Sequence, residues 1–268
     1  VRISVPASSA NLGPGFDALA LAVELRFHLD VGEPRSDDSV PLPDRHPASE
    51  AYRQAGGEGQ LFAETKIPPG KGLGFSGAAR VAGAAAASLA RSGAVHHAEL
   101  LEAVSAAEGH ADNAAASVYG GFAVAAGGRS IRIAPPPLCF VAWIPDAETS
   151  TSSSRSRLPE QVSLADAVHN VGHASLLVAA LATRDYDALR VACEDRLHQS
   201  ARLAEQPESG AAIAAALAAG AHAAWLSGSG PTVGALTDPS EAVDLASELP
   251  DGGHTKVLEL ATFGIQAG

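Results

Sequence analysis

The residues best equipped for chemistry fall in three stretches rich in glycine and serine. Pro6-Ala7-Ser8-Ser9-Ala10-Asn11-Leu12-Gly13-Pro14-Gly15-Phe16-Asp17 stands near the N-terminus, Pro68-Pro69-Gly70-Lys71-Gly72-Leu73-Gly74-Phe75-Ser76-Gly77-Ala78-Ala79 follows, and Leu226-Ser227-Gly228-Ser229-Gly230-Pro231-Thr232 lies near the C-terminus. The middle stretch is the most informative. Its glycines let backbone amides curl closely around an anion, and it opens onto an alanine-rich segment whose helix N-terminus would favour negative charge. Ser76, at the start of that helix, adds a hydroxyl suited to phosphate or Mg²⁺. The predicted chemistry is the holding of a polyphosphate, although a plain tight turn capped by Ser76 would use the same residues.

Two familiar cradles match less well. Gly72, Gly74 and Gly77 satisfy G-x-G-x-x-G, but a dinucleotide fingerprint follows the first strand of a βαβ unit directly. Here Pro68, Pro69, Gly70 and Lys71 intervene, and no clear parallel strand ends in an acidic residue about 20 residues on. A Walker A string, G-x-x-x-x-G-K-[ST], does not occur. Nor does G-x-S-x-G, which disfavours an α/β-hydrolase. His169 and His173 have i, i+4 spacing on a predicted helix, but they lack the glutamate of H-E-x-x-H and any third ligand nearby in sequence. They read as core or surface histidines. His96-His97 has no cysteine neighbours, so zinc is not expected there.

The elements that must position these residues follow from periodicity. Arg2–Val5 reads as a strand, Pro6–Asp17 as a small-residue turn and Ala18–Val31 as a second strand. A Pro- and Asp-rich loop (Glu33–Asp44) leads to a short helix at Ser49–Gln54 and a strand at Leu61–Ile67. The glycine loop then feeds a helix over Ala78–Arg91. His97–Glu108 is a further helix, with Leu100, Leu101, Val104 and Ala107 on one face, ending in the polar turn Gly109–Asn113. A hairpin (Gly120–Ala126, Ser130–Ile133) and a proline hinge (Pro135–Pro137) precede the strand Leu138–Ile144. The second half gives a Ser/Thr/Arg loop at Thr149–Arg157 and helices at Leu164–Thr183, Tyr186–Leu197 and Ser209–Ala219. Strands at Ala223–Leu226 and Thr232–Leu236, a helix at Ser240–Leu249 and a strand at Thr255–Ala261 close the chain. Strands and helices alternate irregularly, which predicts α+β domains of layered sheets and helices, divided near the proline hinge into residues 1–135 and 136–268.

With 268 residues, the chain can bury a core without disulfides. Its two cysteines, Cys139 and Cys193, stand alone, and a reducing cytoplasm is the expected compartment. The formal net charge of −12 and the absence of a basic cluster argue against a nucleic-acid partner. The alanine-rich runs are broken by Arg80, Arg91, His96 and Glu99, so no membrane span is expected.

Taken together and in this order, the three stretches resemble the signature motifs of GHMP kinases. The longer wording Pro6 to Asp17, with Glu108-Gly109-His110-Ala111-Asp112-Asn113 and Arg196-Leu197-His198-Gln199, is similar to homoserine kinases in particular, and the resemblance runs from about Val1 to Leu236. It implies a two-domain GHMP kinase fold, with an N-terminal domain like ribosomal protein S5 domain 2 and a ferredoxin-like C-terminal domain that completes a cleft for ATP and substrate. It implies transfer of the γ-phosphoryl group of ATP to the side-chain hydroxyl of L-homoserine, giving O-phospho-L-homoserine for threonine biosynthesis. The rival expectations are a relative acting on another carboxylated small alcohol and a catalytically silent protein that binds nucleotide or amino acid.

The resemblance further implies that ATP is held by Pro69, Gly70, Lys71, Gly72, Leu73, Gly74, Phe75, Ser76, Gly77, Ala78 and Ala79, with Ser76 and Glu108 on Mg²⁺. Asn11, Asp17, His110, Asn113, Thr151, Arg155, Arg202 and Gly228 match positions of the amino-acid site. A zwitterion needs a carboxylate for its ammonium, for which Asp17 is the candidate, and a cationic fork for its carboxylate, for which Arg155 and Arg202 are the candidates. Phosphoryl transfer asks chiefly for positioning and charge neutralisation. Asn113 is therefore expected to hold the acceptor hydroxyl, and Asp17 is ammonium binder first and base second, with Glu108 and Ser76 completing the catalytic set. Family members often dimerise, so a second copy is the expected protein partner. Two features depart from the family pattern: Phe75 replaces a serine, placing a bulky ring in the cradle, and the stretch from Asp30 to Leu61, where relatives build part of the adenine pocket, is short.

Overall fold

The computed structural model describes residues 1–146, 154–156 and 158–268. The first half builds one antiparallel sheet. Strands β1 (Arg2–Ala10), β2 (Leu19–Val31), β3 (Val40–Pro41), β4 (Leu61–Thr65), β5 (Phe122–Ala126) and β6 (Arg129–Ile133) all belong to it, and β2 pairs with β1, β4 and β5. Helices α1 (Pro47–Gln54), α2 (Phe75–Ser92), α3 (His97–Glu108) and α4 (Asp112–Tyr119) cover it, with α2 and α4 packed directly on β1 and β2. Small residues set these distances. A side chain at Gly83 of α2 would meet the Ala48 carbonyl of α1 at 2.1 Å, and Ala78, Ala79, Ala82, Ala85 and Ala86 are buried along the same helix.

The second half contributes a four-stranded antiparallel sheet from β7 (Cys139–Pro145), β8 (Ala223–Leu226), β9 (Val233–Thr237) and β10 (Gly253–Glu259), in the order β10-β7-β9-β8. Helices α5 (Leu164–Thr183), α6 (Leu189–Ala192), α7 (Gln199–Leu203), α8 (Pro207–Ala218) and α9 (Ala242–Ser247) accompany it. One hydrophobic core, including Phe27, Leu73, Phe140 and Trp225, runs through both halves. The chain end returns to the first sheet: Leu260 bridges Val23, and β11 (Gln266–Ala267) pairs with β1. The α+β architecture is as the residue pattern predicts.

Five expectations are corrected. β1 does not stop at Val5 but runs to Ala10 after a register shift between Pro6 and Ala7, because Ser8 and Ser9 are fully buried and find side-chain partners. Helix α2 begins at Phe75, so Phe75, Ser76 and Gly77 form its first turn instead of the preceding loop. The turn Gly109–Asn113 already contains the start of α4, an eight-residue helix. The helix expected over Tyr186–Leu197 breaks after Ala192. There Asp195 takes backbone N–H groups of Leu197, His198 and Gln199 on its carboxylate, and the Cys193 carbonyl lies against Gly13, whose Cβ would meet it at 2.0 Å. By length and composition α5 could cross a membrane, contrary to the expectation that no segment would pass that test. Its buried side carries Asn170, bonded to the Asp195 carboxylate at 2.7 Å.

Candidate active site

The three glycine–serine stretches meet. Ser8 N–H donates to the Leu73 carbonyl (3.3 Å), Gly228 N–H to Ala10 (3.2 Å) and Thr232 N–H to Lys71 (3.3 Å). Ser227 Oγ donates to the Gly72 carbonyl at 2.7 Å and lies 2.8 Å from Ser9 Oγ, which also accepts from Trp225 Nε1. Only glycine allows this closeness at Gly72, where φ is +77° and a Cβ would meet the Ser227 carbonyl at 2.3 Å. Between the stretches opens a cavity of about 460 Å³.

One wall is the glycine loop. Gly70, Gly72, Gly74, Phe75, Ser76 and Gly77 line it, and Gly74, with φ of +69°, caps α2 without any side-chain hydrogen bond. An 18-residue helix thus points its positive end at the cavity, a natural seat for an anion. Ser76 Oγ donates to Glu108 Oε1 at 2.7 Å, and Arg80 Nε donates to the same oxygen at 2.8 Å. Neighbouring ligands of an octahedral Mg²⁺ with bonds of 2.0–2.1 Å stand about 2.9 Å apart, so the Ser76–Glu108 oxygen pair fits that ion. Phe75 lines the wall without plugging it. Its ring stands edge-on to Phe27 (6.0 Å) and His46 (5.7 Å), so the expected bulk in the cradle is turned toward the aromatic cluster.

The opposite wall is charged. Asp17 sits at φ of +59° at the end of a tight loop, its N–H bonded to Asn11 Oδ1 at 3.2 Å. Asn11 in turn donates to the Gly228 carbonyl at 3.0 Å. Asp17 Oδ1 accepts from Arg155 Nη2 at 2.6 Å, and the Arg155 and Arg202 guanidinium carbons lie 5.3 and 5.4 Å from the Phe16 ring centre. Arg202 is buried, and burial, followed by the charge of Arg155, pushes its pKa below the ordinary arginine value. Its Nη1 donates to the Gly228 carbonyl (3.0 Å) and to His198 Nδ1 (3.0 Å), while its Nε has no partner among the described residues. At the floor Asn113 Oδ1 accepts from Ser8 Oγ at 2.8 Å. His110 Nδ1 meets Asp112 Oδ1 at 2.7 Å; that bond raises the His110 pKa against burial, with the charges of Asp112, Asp17 and Glu108 adding to it.

This arrangement sets a glycine loop and a helix N-terminus opposite a cluster of one carboxylate and two guanidinium groups in the same cavity. The chain matches the GHMP kinases N terminal domain over residues 47–121 and GHMP kinases C terminal over 177–255. It is 38% identical to a homoserine kinase of Streptomyces avermitilis over 98% of this chain and 94% of that protein, and 34% identical to a homoserine kinase of Desulfitobacterium hafniense over 100% and 95%. The crystal structure of homoserine kinase from Cytophaga hutchinsonii superposes with a TM-score of 0.85 at 26% identity, covering 99% of this chain and 96% of that one. The chain belongs to the homoserine kinase family of GHMP kinases.

Against the homoserine kinase motifs, the predicted residues separate into three groups. Asn11, Asp17, Gly70, Gly72, Gly74, Phe75, Ser76, Gly77, Glu108, His110, Asn113, Arg155, Arg202 and Gly228 line the one cavity. Leu73, Ala78 and Ala79 are wholly buried and carry the loop instead of facing the cavity, and Lys71 Nζ donates to the carbonyls of Pro145 (3.0 Å) and Asp146 (2.5 Å). Pro69 is outside the lining set, and Thr151 lies outside the described residues. Sequence reasoning gave no role to Ser8 or to the relay behind Arg202. In that relay Asn170 Nδ2 donates to Asp195, whose carboxylate holds the 197–199 backbone, while His198 Nε2 donates to the Gly13 carbonyl at 2.8 Å, leaving Nδ1 to accept from Arg202. Burial pushes the Asp195 pKa up, but the adjoining His198 imidazole and hydrogen bonds from the Gln199 N–H, Asn170 Nδ2 and the His198 N–H outweigh it and hold the carboxyl below the usual range. The signal available was the spacing Asp195-x-x-His198-x-x-x-Arg202, in which Asp195 stands just ahead of α7 and His198, its N-cap, is one turn from Arg202.

Proposed function

We propose that this chain transfers the γ-phosphoryl group of ATP to the side-chain hydroxyl of L-homoserine, releasing ADP and O-phospho-L-homoserine, in the cytoplasm and as a homodimer built from two N-terminal (1–135) and two C-terminal (136–268) units. The observation that carries the reading is the single cavity in which the glycine loop faces Asp17, Arg155 and Arg202. The loop and the α2 N-terminus hold the triphosphate through backbone amides. Arg202 and Arg155 take the substrate carboxylate, and Asp17 takes the ammonium, exchanging part of its pairing with Arg155 for the ligand.

Ser8 fixes Asn113 so that its amide group can position the acceptor hydroxyl, which needs little activation in a loose phosphoryl-transfer transition state. Asp17 is also within the same cavity as a proton acceptor. Ser76 and Glu108 would hold Mg²⁺, which when bound neutralises charge building on the phosphates. Arg80 holds the Glu108 carboxylate in place. A coupled ADP-release assay with L-homoserine, L-threonine, 3-amino-1-propanol and mevalonate tests the reading. L-Homoserine is expected to exceed the amino-alcohol without a carboxylate by on the order of a hundredfold in kcat/KM, because Arg202 is otherwise left buried and unpaired. Equal use of 3-amino-1-propanol would overturn it.

A further inference from the structure

His169 and His173 stand one turn apart on α5, and the broken helix beyond α6 brings Glu194 to them across a gap of more than 20 residues in sequence. The ligand atoms of the three side chains all lie within 4.8 Å of one another. The two imidazoles are stacked, with ring centres 3.6 Å apart and planes at 24°. His173 Nδ1 is 2.8 Å from the His169 carbonyl and so carries its proton there as donor, which leaves Nε2 with a free lone pair. That Nε2 is 3.8 Å from Glu194 Oε2, too far for a hydrogen bond. His169 Nε2 is sealed from solvent and has no hydrogen-bond partner among the described residues. Two unbonded imidazole nitrogens and a carboxylate therefore lie close together without satisfying one another, the stacked rings holding the in-plane lone pairs side by side.

We infer that His169, His173 and Glu194 form a binding site for a divalent transition metal of the zinc type, separate from the kinase cavity. Two imidazoles and one carboxylate suit Zn²⁺ and not Mg²⁺, which prefers an all-oxygen shell. Bonds of about 2.0–2.1 Å would draw the donor atoms to roughly 3.4 Å from one another. That closure requires the His169 ring to turn out of the stack about its χ angles, while His173 keeps its Nδ1–H bond. The Nδ1–H bond of His173 to a backbone carbonyl is the usual outer-shell support of a metal-bound imidazole. The Glu194 side chain is 60% exposed, so water would reach a bound metal from that side. Glu194 precedes Asp195, so a metal here would tie α5 to the segment that holds His198 and Arg202.

The test uses the full chain stripped with a chelator, without ATP, and titrated with Zn²⁺ against a chromogenic chelator. One Zn²⁺ per chain is expected, with an accompanying rise in melting temperature. Loss even of an outer-shell partner costs about 10–100-fold in metal affinity, so His173→Ala and Glu194→Gln should each weaken Zn²⁺ by at least about a hundredfold and abolish the thermal shift. His254→Ala, an exposed histidine on β10, should change neither. If His173→Ala fails to fold, Glu194→Gln decides, because that side chain is largely exposed. No Zn²⁺ bound by the wild-type chain, or Zn²⁺ bound with equal affinity by wild type and Glu194→Gln, overturns the inference. Phosphoryl transfer is not read in this experiment, so its failure leaves the kinase reading untouched.

Discussion

The two walls of the cavity are built on different principles. The phosphate wall is backbone: three glycines at positive φ, a helix N-terminus capped by Gly74, and one carboxylate with its hydroxyl partner. The acceptor wall is side chain: Asp17, Arg155 and Arg202 around Phe16, each held by contacts from elsewhere in the chain. A polyphosphate offers many equivalent oxygens and can be met by amides that every residue carries. A small zwitterion has one ammonium and one carboxylate, so its site needs particular charges at particular points. The first wall should fail through shape and the second through charge.

Arg202→Ala separates the two most strongly. Removing a buried guanidinium leaves a substrate carboxylate unpaired, so kcat/KM for L-homoserine should fall on the order of a hundredfold to a thousandfold while nucleotide affinity stays within about threefold. Arg202→Lys should recover little, because Nη1 alone serves the Gly228 carbonyl and His198, and an ammonium in its place has no further planar N–H groups with which to grip a carboxylate bidentately. Equal loss of nucleotide binding, measured by calorimetry, would break the distinction. Gly74→Ala is the converse experiment. Its Cβ would stand 2.2 Å from Ser8 Oγ, at φ of +69°, so nucleotide affinity should weaken by about tenfold or more, with a smaller change in homoserine KM at saturating ATP.

Glu108→Gln acts between these. The amide retains volume and can still accept from Ser76 and Arg80, so the melting temperature should hold. The lost charge weakens the expected metal ligand, and turnover should drop by about tenfold or more. Turnover equal to wild type across a Mg²⁺ titration would remove Glu108 from that role.

Legibility followed the same division. The glycine loop and the alanine helix could be read from residue type alone, because glycine spacing and helix propensity are local properties. The α2 boundary was missed by three residues, since nothing in Phe75-Ser76-Gly77 distinguishes a loop from a first helical turn. Asp17, Arg155 and Arg202 lie far apart in sequence and acquired meaning only from the family resemblance; as isolated charges they read as surface residues. The relay through Asn170, Asp195 and His198 was illegible because it depends on α6 stopping at Ala192, a break forced by the Asp195 carboxylate and the approach of Gly13. The His169–His173 pair shows the same limit: its spacing was visible, but its third member is supplied by that break.

The smallest effect belongs to His110, at the seam between the walls. Its folded-state pKa is raised above the ordinary 6.5, first by the hydrogen bond to Asp112 and further by the charges of Asp112, Asp17 and Glu108. A raised folded value means that the native protein binds the proton more tightly than the unfolded chain, so protonation of His110 favours folding. That contribution is fully present below the unfolded value near pH 6.5 and is lost as pH rises through the higher folded value. Thermal melts of wild type and His110→Gln should therefore differ most in mildly acidic buffer and converge toward alkaline pH, since glutamine can still donate to Asp112 but does not titrate. The charge reaches the acceptor wall through Asp17, so the KM for L-homoserine should also lose part of its pH dependence in His110→Gln, while nucleotide affinity, set by backbone amides, keeps its own. A pH dependence of stability identical in the two proteins would show that the proton on His110 does not distinguish the folded from the unfolded state.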